Sequence, residues 1–113
     1  MRNIPSEIAE GVMNWLSHEP AANTAATKTA SATEGVQHVL KKVWYSYSEA
    51  PTGGKLTVET TINGTAVTFN FHIVGTGPGV FEFDIVADAN KDLTVTLAAG
   101  AGTCAGTLTF CYR

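Results

Sequence analysis

The stretch TFNFHIVGTGPGVFEFDIV, residues 68–86, decides the fold. Apolar side chains occupy every second position of residues 67–73, a glycine- and proline-rich break follows at 75–79, and the alternation resumes in residues 80–86. A period of two is typical of a β-strand with one buried face, because successive side chains point to opposite sides of a sheet. Strands joined by so short a turn must be antiparallel, since a parallel crossover needs a dozen or more residues.

The same alternation extends through residues 36–113 and predicts about six strands separated by turn signals. Asn63-Gly64 is one such signal, because both positions of a tight hairpin turn need positive φ. Strands with one apolar and one polar face form two packed sheets or a small closed barrel, and we predict an antiparallel β-sandwich. Its inward-facing side chains from the second strand onward are predicted to be Leu56, Val58, Ile62, Val67, Phe69, Phe71, Ile73, Phe81, Phe83, Ile85, Leu93, Val95, Leu97, Leu108, Phe110 and Tyr112.

The first predicted strand lies in VQHVLKKVWYSYS, residues 36–48. Strict alternation places Val43, Tyr45 and Tyr47 on one face, and Leu40 and Trp44 on the other. The sequence therefore puts aromatic rings on both sides of this strand. They are open to three interpretations: core and sheet packing, a stacking platform for sugar, or an anchor in a protein interface.

The first 35 residues are predicted to form an N-terminal arm, separate from a sandwich domain at 36–113. Residues 6–17 suggest a short amphipathic helix that begins at Ser6. Residues 19–34 are rich in Ala and Thr and lack aromatic and large aliphatic side chains, so they cannot bury enough apolar area to fold alone. Two interpretations stay open for them: a disordered leader, or a tether that carries the helix to a neighbouring subunit. The shared apolar face of that helix comprises Ile8, Val12, Trp15 and Leu16.

Composition narrows the class of protein. A chain of 113 residues is long enough for one domain with its own core. The formal net charge is −3 and Lys41-Lys42 is the only adjacent basic pair, which argues against nucleic-acid binding. No apolar run approaches the length of a membrane span, and the N-terminus does not resemble a signal peptide. We therefore expect a soluble protein that is made in a cytoplasm and does not bind membranes.

The motifs that could carry chemistry do not complete a site. Asp88, Asn90 and Asp92 have the spacing of the first ligands of a calcium loop, but Leu93 replaces the required glycine and Ala99 the bidentate glutamate. GTGPG at 75–79 precedes a strand, whereas a phosphate-binding loop leads into a helix. We predict no metal, no cofactor and no catalytic residue.

The histidines and cysteines lead to the same expectation. The three histidines His18, His38 and His72 are not spaced as metal ligands. Neither Cys104 nor Cys111 neighbours a histidine or an acid, and no GxSxG motif occurs. If residues 103–112 form one strand, the two cysteines lie about 23 Å apart on opposite faces, too far for a disulfide. Buried free thiols, an intermolecular bridge and a reactive thiol remain as alternatives.

Three stretches carry a resemblance to small proteins of tailed bacteriophages and prophages. They are Tyr45–Val58, which contains YSEAPTGGKLTV, then Gly75–Asp84, and Thr96–Phe110 with its TLAAGAGTCAGTLTF hairpin. The resemblance covers about two-thirds of the chain and excludes residues 1–35. It implies a β-sandwich virion structural protein, such as a capsid decoration (cement) protein. The two cysteines depart from the pattern.

A protein of this kind would be catalytically silent and would bind the major capsid protein or other virion subunits at the capsid surface. We predict that the N-terminal arm and the sandwich edges make these contacts, and a homotrimer around a lattice axis is compatible with the sequence. A tail, baseplate or head-fibre component is one alternative, and a carbohydrate-binding adhesin module is another. The residues predicted to bind partners are Ile8, Val12, Trp15, Leu16, Trp44, Tyr45 and Tyr47.

Overall fold

The structure is a computed structural model that describes residues 13–113, and in this range it contains β-strands and no helix. Eight strands form two four-stranded antiparallel sheets, which confirms the predicted β-sandwich but adds two strands to the predicted six. The strands are β1 (Asn14–His18), β2 (Ala26–Ala30), β3 (Val39–Tyr47), β4 (Lys55–Ile62), β5 (Thr65–His72), β6 (Gly79–Val86), β7 (Leu93–Leu97) and β8 (Gly106–Tyr112).

The strand order identifies the topology. Sheet A has the order β1-β8-β3-β6, and sheet B has the order β2-β7-β4-β5. The chain crosses from one sheet to the other at every connection except the β4–β5 hairpin, which stays in sheet B. The inner positions are occupied by β8 and β3 in sheet A and by β7 and β4 in sheet B. An eight-stranded double sheet with this connectivity is a jelly roll. Its four edge strands are β1, β6, β2 and β5.

The β4–β5 hairpin shows how local sequence sets the register. Asn63 and Gly64 have φ values of 51° and 78°, as the predicted two-residue turn requires. The two strands then pair along their whole lengths, from Ile62 opposite Thr65 to Lys55 opposite His72. This pairing makes β5 an edge strand whose inner face carries Phe69 and Phe71, both packed against the core.

The core lies between the two sheets and confirms most of the predicted inward-facing residues. Leu56, Val58, Leu93, Val95, Leu97, Leu108 and Phe110 are fully buried. Thr60 is buried on the inner face of β4, where its hydroxyl donates to the carbonyl of Asp92 at 2.8 Å. Phe71, Phe81 and Phe83 pack together, with ring centroids 5.2 to 5.9 Å apart, and join the edge strands β5 and β6 across the sandwich.

The predicted strict alternation of side chains between the two faces is wrong at the start of β3. Leu40 is completely buried although the alternation placed it on the face opposite Val43. The register shifts between Leu40 and Lys42: Leu40 pairs with Tyr112, and Lys42 pairs with the very next residue, Cys111. Lys41 is thus an extra residue, a β-bulge that allows both Leu40 and Val43 to face the core.

The predicted N-terminal helix is wrong for the part that the structure describes. Asn14–His18 forms strand β1, which pairs with β8 from Asn14 opposite Tyr112 to His18 opposite Leu108. A helix would have placed Trp15 and Leu16 on one face, whereas a strand points them to opposite sides of the sheet. Residues 6–12 of the predicted helix lie outside the described residues.

The predicted extended linker also contains a strand. Ala26–Ala30 forms β2 and pairs with β7, with Ala26 and Ala30 buried against the core. The sequence ATKTA alternates small inward side chains with outward threonines, so it reaches the core by adding to a sheet rather than by folding alone. Residues 13–35 therefore contribute one strand to each sheet, and the sandwich begins before the predicted boundary at residue 36.

Candidate functional site

Two tryptophans stack on the outer face of sheet A. Trp15 on β1 and Trp44 on β3 have ring centroids 5.2 Å apart and an interplanar angle of 24°. Strand β8 runs between β1 and β3 in the sheet, so the two indoles meet above it. Trp15 is 57% exposed and Trp44 is half-buried, which leaves an open indole surface on a sheet face.

Cys111 lies beneath this ring pair. In the register it stands between Trp15 on one side and Lys42 on the other, and it points to the outer face because its neighbour Phe110 points to the core. Even so, Cys111 is only 3% exposed. Its neighbours on that face are Trp15 and Lys42 in the register, and Trp44 and Met13 line the same cleft as Cys111.

The tryptophans line an open cleft of about 530 Å³ on the same face. Its polar walls are two basic and two acidic side chains, Lys41, Lys42, Glu82 and Asp84. Lys41 forms an ion pair with Asp84, whose pKa is lowered by the hydrogen bond from this lysine and by its charge. Lys42 and Glu82 are opposite each other in the β3–β6 register, and both are exposed.

The other residues predicted to bind partners lie elsewhere. Leu16 and Tyr45 pack against the core, and Tyr47 is only 4% exposed. The Tyr47 hydroxyl donates to the carbonyl of Ala98 at 2.7 Å, and burial raises the pKa of this phenol. Trp44, Tyr45 and Tyr47 therefore do not form one exposed platform. Ile8 and Val12 lie outside the described residues.

Three of the four edge strands have features that discourage further strand pairing. Strand β1 is only five residues long, and β6 carries Glu82 and Asp84 on its outer face. Strand β2 has Lys28 on its inward-facing side, and its Thr27 amide donates to Nδ1 of His18 at 3.1 Å. Short edges, edge charges and inward-pointing charges are the usual protections against edge-to-edge association.

Strand β5 lacks these protections. Its eight residues, TAVTFNFH, include no Asp, Glu, Lys, Arg, Gly or Pro. Within the described residues its outer edge pairs with no strand. Val74, just beyond its end, is 87% exposed, which extends the apolar character of this edge. A long uncharged edge is a template for pairing with another chain.

The calcium-like loop has a structural role instead. The Asp88 carboxylate accepts the amides of Asn63 and Gly64, each at 2.8 Å. Asn90 accepts the amide of Gly35 at 2.7 Å, and Asp92 accepts that of Ala32 at 2.6 Å. Asp88 thus holds the β4–β5 turn, while Asn90 and Asp92 both hold the connection between β2 and β3. The backbone hydrogen bonds lower the pKa of Asp88.

The histidines and cysteines are dispersed. His38 is buried, and its Nε2 lies 2.8 Å from the Ser31 carbonyl oxygen. It precedes β3 in sheet A, whereas His72 is the last residue of β5 in sheet B. Cys104 precedes β8, because that strand begins at Gly106 rather than at 103, and both cysteines are buried free thiols. Residues 13–113 contain no group of three or more His, Cys, Asp or Glu that could hold a metal ion.

Sequence patterns alone could not find the Trp15–Trp44 stack. The helix prediction assigned Trp15 to the N-terminal arm rather than to a strand of sheet A, and its contact with Trp44 depends on β1 pairing with β8. The absence of charged residues from β5, in contrast, can be recognised from the sequence. The position of β5 at the edge of sheet B can be recognised only from the strand order.

Comparisons with known proteins add little. No family model and no curated protein matches the chain. Among solved structures, it is similar to a chain in the structure of infectious bursal disease virus, Gx strain, with 12% identity and a TM-score of 0.28. The similarity covers 88% of this chain and 32% of that one, so the chain spans about a third of its length. Similarity at this level implies no function. Residues 13–113 include no helix long and apolar enough to cross a bilayer.

Proposed function

We propose that this protein is a non-enzymatic virion structural protein, a capsid decoration protein that binds the major capsid protein or a neighbouring virion subunit through strand β5. The observation that carries the proposal is the unprotected edge: eight residues without a charge, a glycine or a proline, on a sandwich whose other three edges are short or charged. Retaining such an edge risks aggregation, and a partner strand that covers it explains why it is there.

Two further observations support this function. The stretches Tyr45–Val58, Gly75–Asp84 and Thr96–Phe110 resemble small virion proteins of tailed bacteriophages. The jelly roll is a fold found in viral capsid domains, and also in lectins and cupins, so the fold favours the proposal by analogy alone.

The proposed contact works by strand addition. A strand of the partner would pair with the outer edge of β5 and extend sheet B from four strands to five, with main-chain hydrogen bonds giving affinity and side-chain pockets giving specificity. The paired β4–β5 hairpin presents that edge in a fixed conformation, so little entropy is lost on binding. Ile8 and Val12 remain the predicted second contact, which would raise the overall affinity by making one binding step intramolecular.

Co-sedimentation with capsid shells that lack this protein tests the proposal. Saturable binding of the full chain supports a decoration protein, and weaker binding of a variant without residues 1–12 would assign a role to Ile8 and Val12. A chain starting at Gly35 is unsuitable because it would lack β1 and β2. Binding to tails or baseplates but not to shells would contradict the capsid location, and binding to no virion part would contradict the function.

A further inference from the structure

We propose that the outer face of sheet A is a binding site for a short neutral oligosaccharide, with the stacked indoles of Trp15 and Trp44 as the platform and Lys42 and Glu82 as hydrogen-bonding groups. This site is independent of the proposed capsid contact. It lies on the face of sheet A, whereas β5 is an edge of sheet B, so one molecule could bind a sugar and a capsid at the same time.

The first reason is the exposure of the aromatic surface. Trp15 packs one side of its indole on Trp44 and is still 57% exposed. A tryptophan whose only role is to pack in the core would be largely buried. An exposed tryptophan with no binding role lowers the solubility of the protein. The flat face of an indole binds the apolar C–H face of a sugar ring. The axial C–H groups of the sugar contact the π-system, while its hydroxyl groups point away from the indole and stay in water. The stack also fixes the orientation of the exposed ring before a ligand arrives.

The second reason is the charge of the cleft. Its two lysines balance its two carboxylates, and the Lys41–Asp84 pair neutralises one of each. Lys42 and Glu82 remain, an exposed donor and an exposed acceptor that face each other across the β3–β6 register. Sugar hydroxyls both donate and accept, so they can satisfy this combination. A polyanion would meet Glu82 and Asp84, and a cationic ligand would meet Lys42.

The third reason is size. The cleft of about 530 Å³ falls within the range of about 300–1,000 Å³ that is typical of small-molecule sites. It is an open cleft on a sheet face rather than a closed cavity, and a chain of sugars can continue beyond it in either direction. Bulge residue Lys41 helps to shape the wall, since its side chain turns outward to reach Asp84.

The chain offers a direct probe, because its two tryptophans are the two stacked residues. Tryptophan fluorescence, excited at wavelengths that tyrosine does not absorb, therefore reports only on this site. We would titrate the full-length protein with neutral tetrasaccharides of glucose, galactose, mannose or N-acetylglucosamine at millimolar concentrations. We expect a saturable change in emission with at least one of them, and no saturable change with a tetrasaccharide of galacturonic acid.

Variants separate a site from a general effect on the fold. Trp15→Ala should weaken binding at least about tenfold. Trp15→Phe keeps a flat ring and should bind more tightly than Trp15→Ala. The affinities of these variants are measured by calorimetry, because both substitutions remove a fluorophore. Glu82→Gln keeps hydrogen-bonding capacity and Glu82→Ala removes it, so Glu82→Ala should weaken binding more than Glu82→Gln. Val74→Ala, an exposed apolar residue away from the cleft, is the matched control.

Absence of saturable binding by every neutral tetrasaccharide would overturn the proposal. So would equal affinities of the wild type and the Trp15→Ala variant, provided that the far-ultraviolet circular dichroism spectra of the two proteins agree. Equal or tighter binding of the galacturonic acid tetrasaccharide would overturn the assignment to neutral sugars. None of these results bears on binding to capsid shells.

Discussion

Trp15 is an exposed residue that lies opposite a buried thiol in the strand register. Its indole stacks on Trp44 over β8, and the cysteine below, Cys111, has almost no contact with solvent. A buried thiol reacts slowly because reagents cannot reach it. The Trp15→Ala variant should therefore make one thiol per chain react several-fold faster with Ellman's reagent under native conditions.

Cysteine variants assign the reactive thiol. In the Trp15→Ala background, Cys111→Ser should abolish the fast reaction and Cys104→Ser should leave it, because Cys104 is buried in the core and its thiol donates to the carbonyl of Glu49 at 3.2 Å. An unchanged rate in Trp15→Ala would show that the indole does not shield Cys111.

Asp88 gives a prediction for pH at the same scale. Its carboxylate accepts the two amides of the β4–β5 turn, and these hydrogen bonds lower its pKa below the ordinary value of 3.8. A depressed carboxyl pKa stabilises the folded state above the unfolded-state value, and this contribution is lost as the pH falls through the folded-state pKa. Asp88→Asn should lower the melting temperature at pH 7 and flatten its decline below about pH 4.

The measurement is a series of thermal unfolding curves from neutral to acidic pH for the wild type and Asp88→Asn. Glu82→Gln is the control, since the described structure assigns no backbone hydrogen bond to that exposed carboxylate. A wild type and Asp88→Asn variant with parallel pH profiles would contradict the role of Asp88 as the acceptor that fixes the turn.

At the scale of elements, the β5–β6 connection contains two glycines that should respond differently to substitution. A Cβ at Gly79, the first residue of β6, would clash with Cε1, Cζ and the hydroxyl oxygen of Tyr45. The space around Gly75 is open, and its φ is outside the left-handed region. Gly79→Ala should cost about 1–3 kcal/mol of unfolding free energy through overpacking. Gly75→Ala should be neutral or stabilise by up to about 1 kcal/mol.

Urea unfolding of both variants measures the difference, and each serves as the other's control because they flank the same turn. Equal losses of stability would mean that the turn tolerates no side chain anywhere, and that the Tyr45 ring is not what constrains Gly79. No loss in Gly79→Ala would contradict the close packing of Tyr45 at the start of β6.

The elements also show which parts of the fold the sequence could predict. Strands β4 to β8 have large apolar side chains at every second position, and their burial follows from that period. Strand β2 alternates only alanine and threonine around Lys28, a pattern whose weak hydrophobicity hides its period of two. Strand β1 is short, and Trp15 next to Leu16 fits a helix as well as a strand until β8 supplies a partner. The bulge at Lys41 depends on two neighbouring strands, which no local pattern specifies.

The candidate binding surfaces could likewise be predicted from the sequence only in part. The composition of β5 could be read from the sequence, but its place at the edge follows from the order of all four strands of sheet B. The alternation places Trp44 on the face opposite Tyr45 and Tyr47, but its contact with Trp15 depends on β1, which the sequence did not predict. Tyr45 and Tyr47 alternate with Trp44 and consequently face the core, so the alternation itself argued against a platform of all three.

The whole molecule combines a rigid double sheet with two surfaces of different chemistry. Sheet A presents the indole cleft, and the outer face of sheet B is largely threonine, with Thr27 bonded to Thr96 and Thr29 to Thr94 through their hydroxyls. The free edge of sheet B adds a third feature, the uncharged strand β5. A decoration protein needs such a division, because the surface that binds the capsid cannot also face the surroundings of the particle.

Binding of a virion partner by β5 is tested most directly by one matched pair of variants in the co-sedimentation assay. Thr68→Lys places a charge on the exposed face of β5, opposite Glu59, and Thr29→Lys places the same charge on β2, the other edge of the same sheet. We expect Thr68→Lys to weaken binding to capsid shells at least about tenfold, because an edge lysine opposes strand addition, and Thr29→Lys to bind like the wild type. Equal binding by both variants and the wild type, with unchanged melting temperatures, would contradict the account.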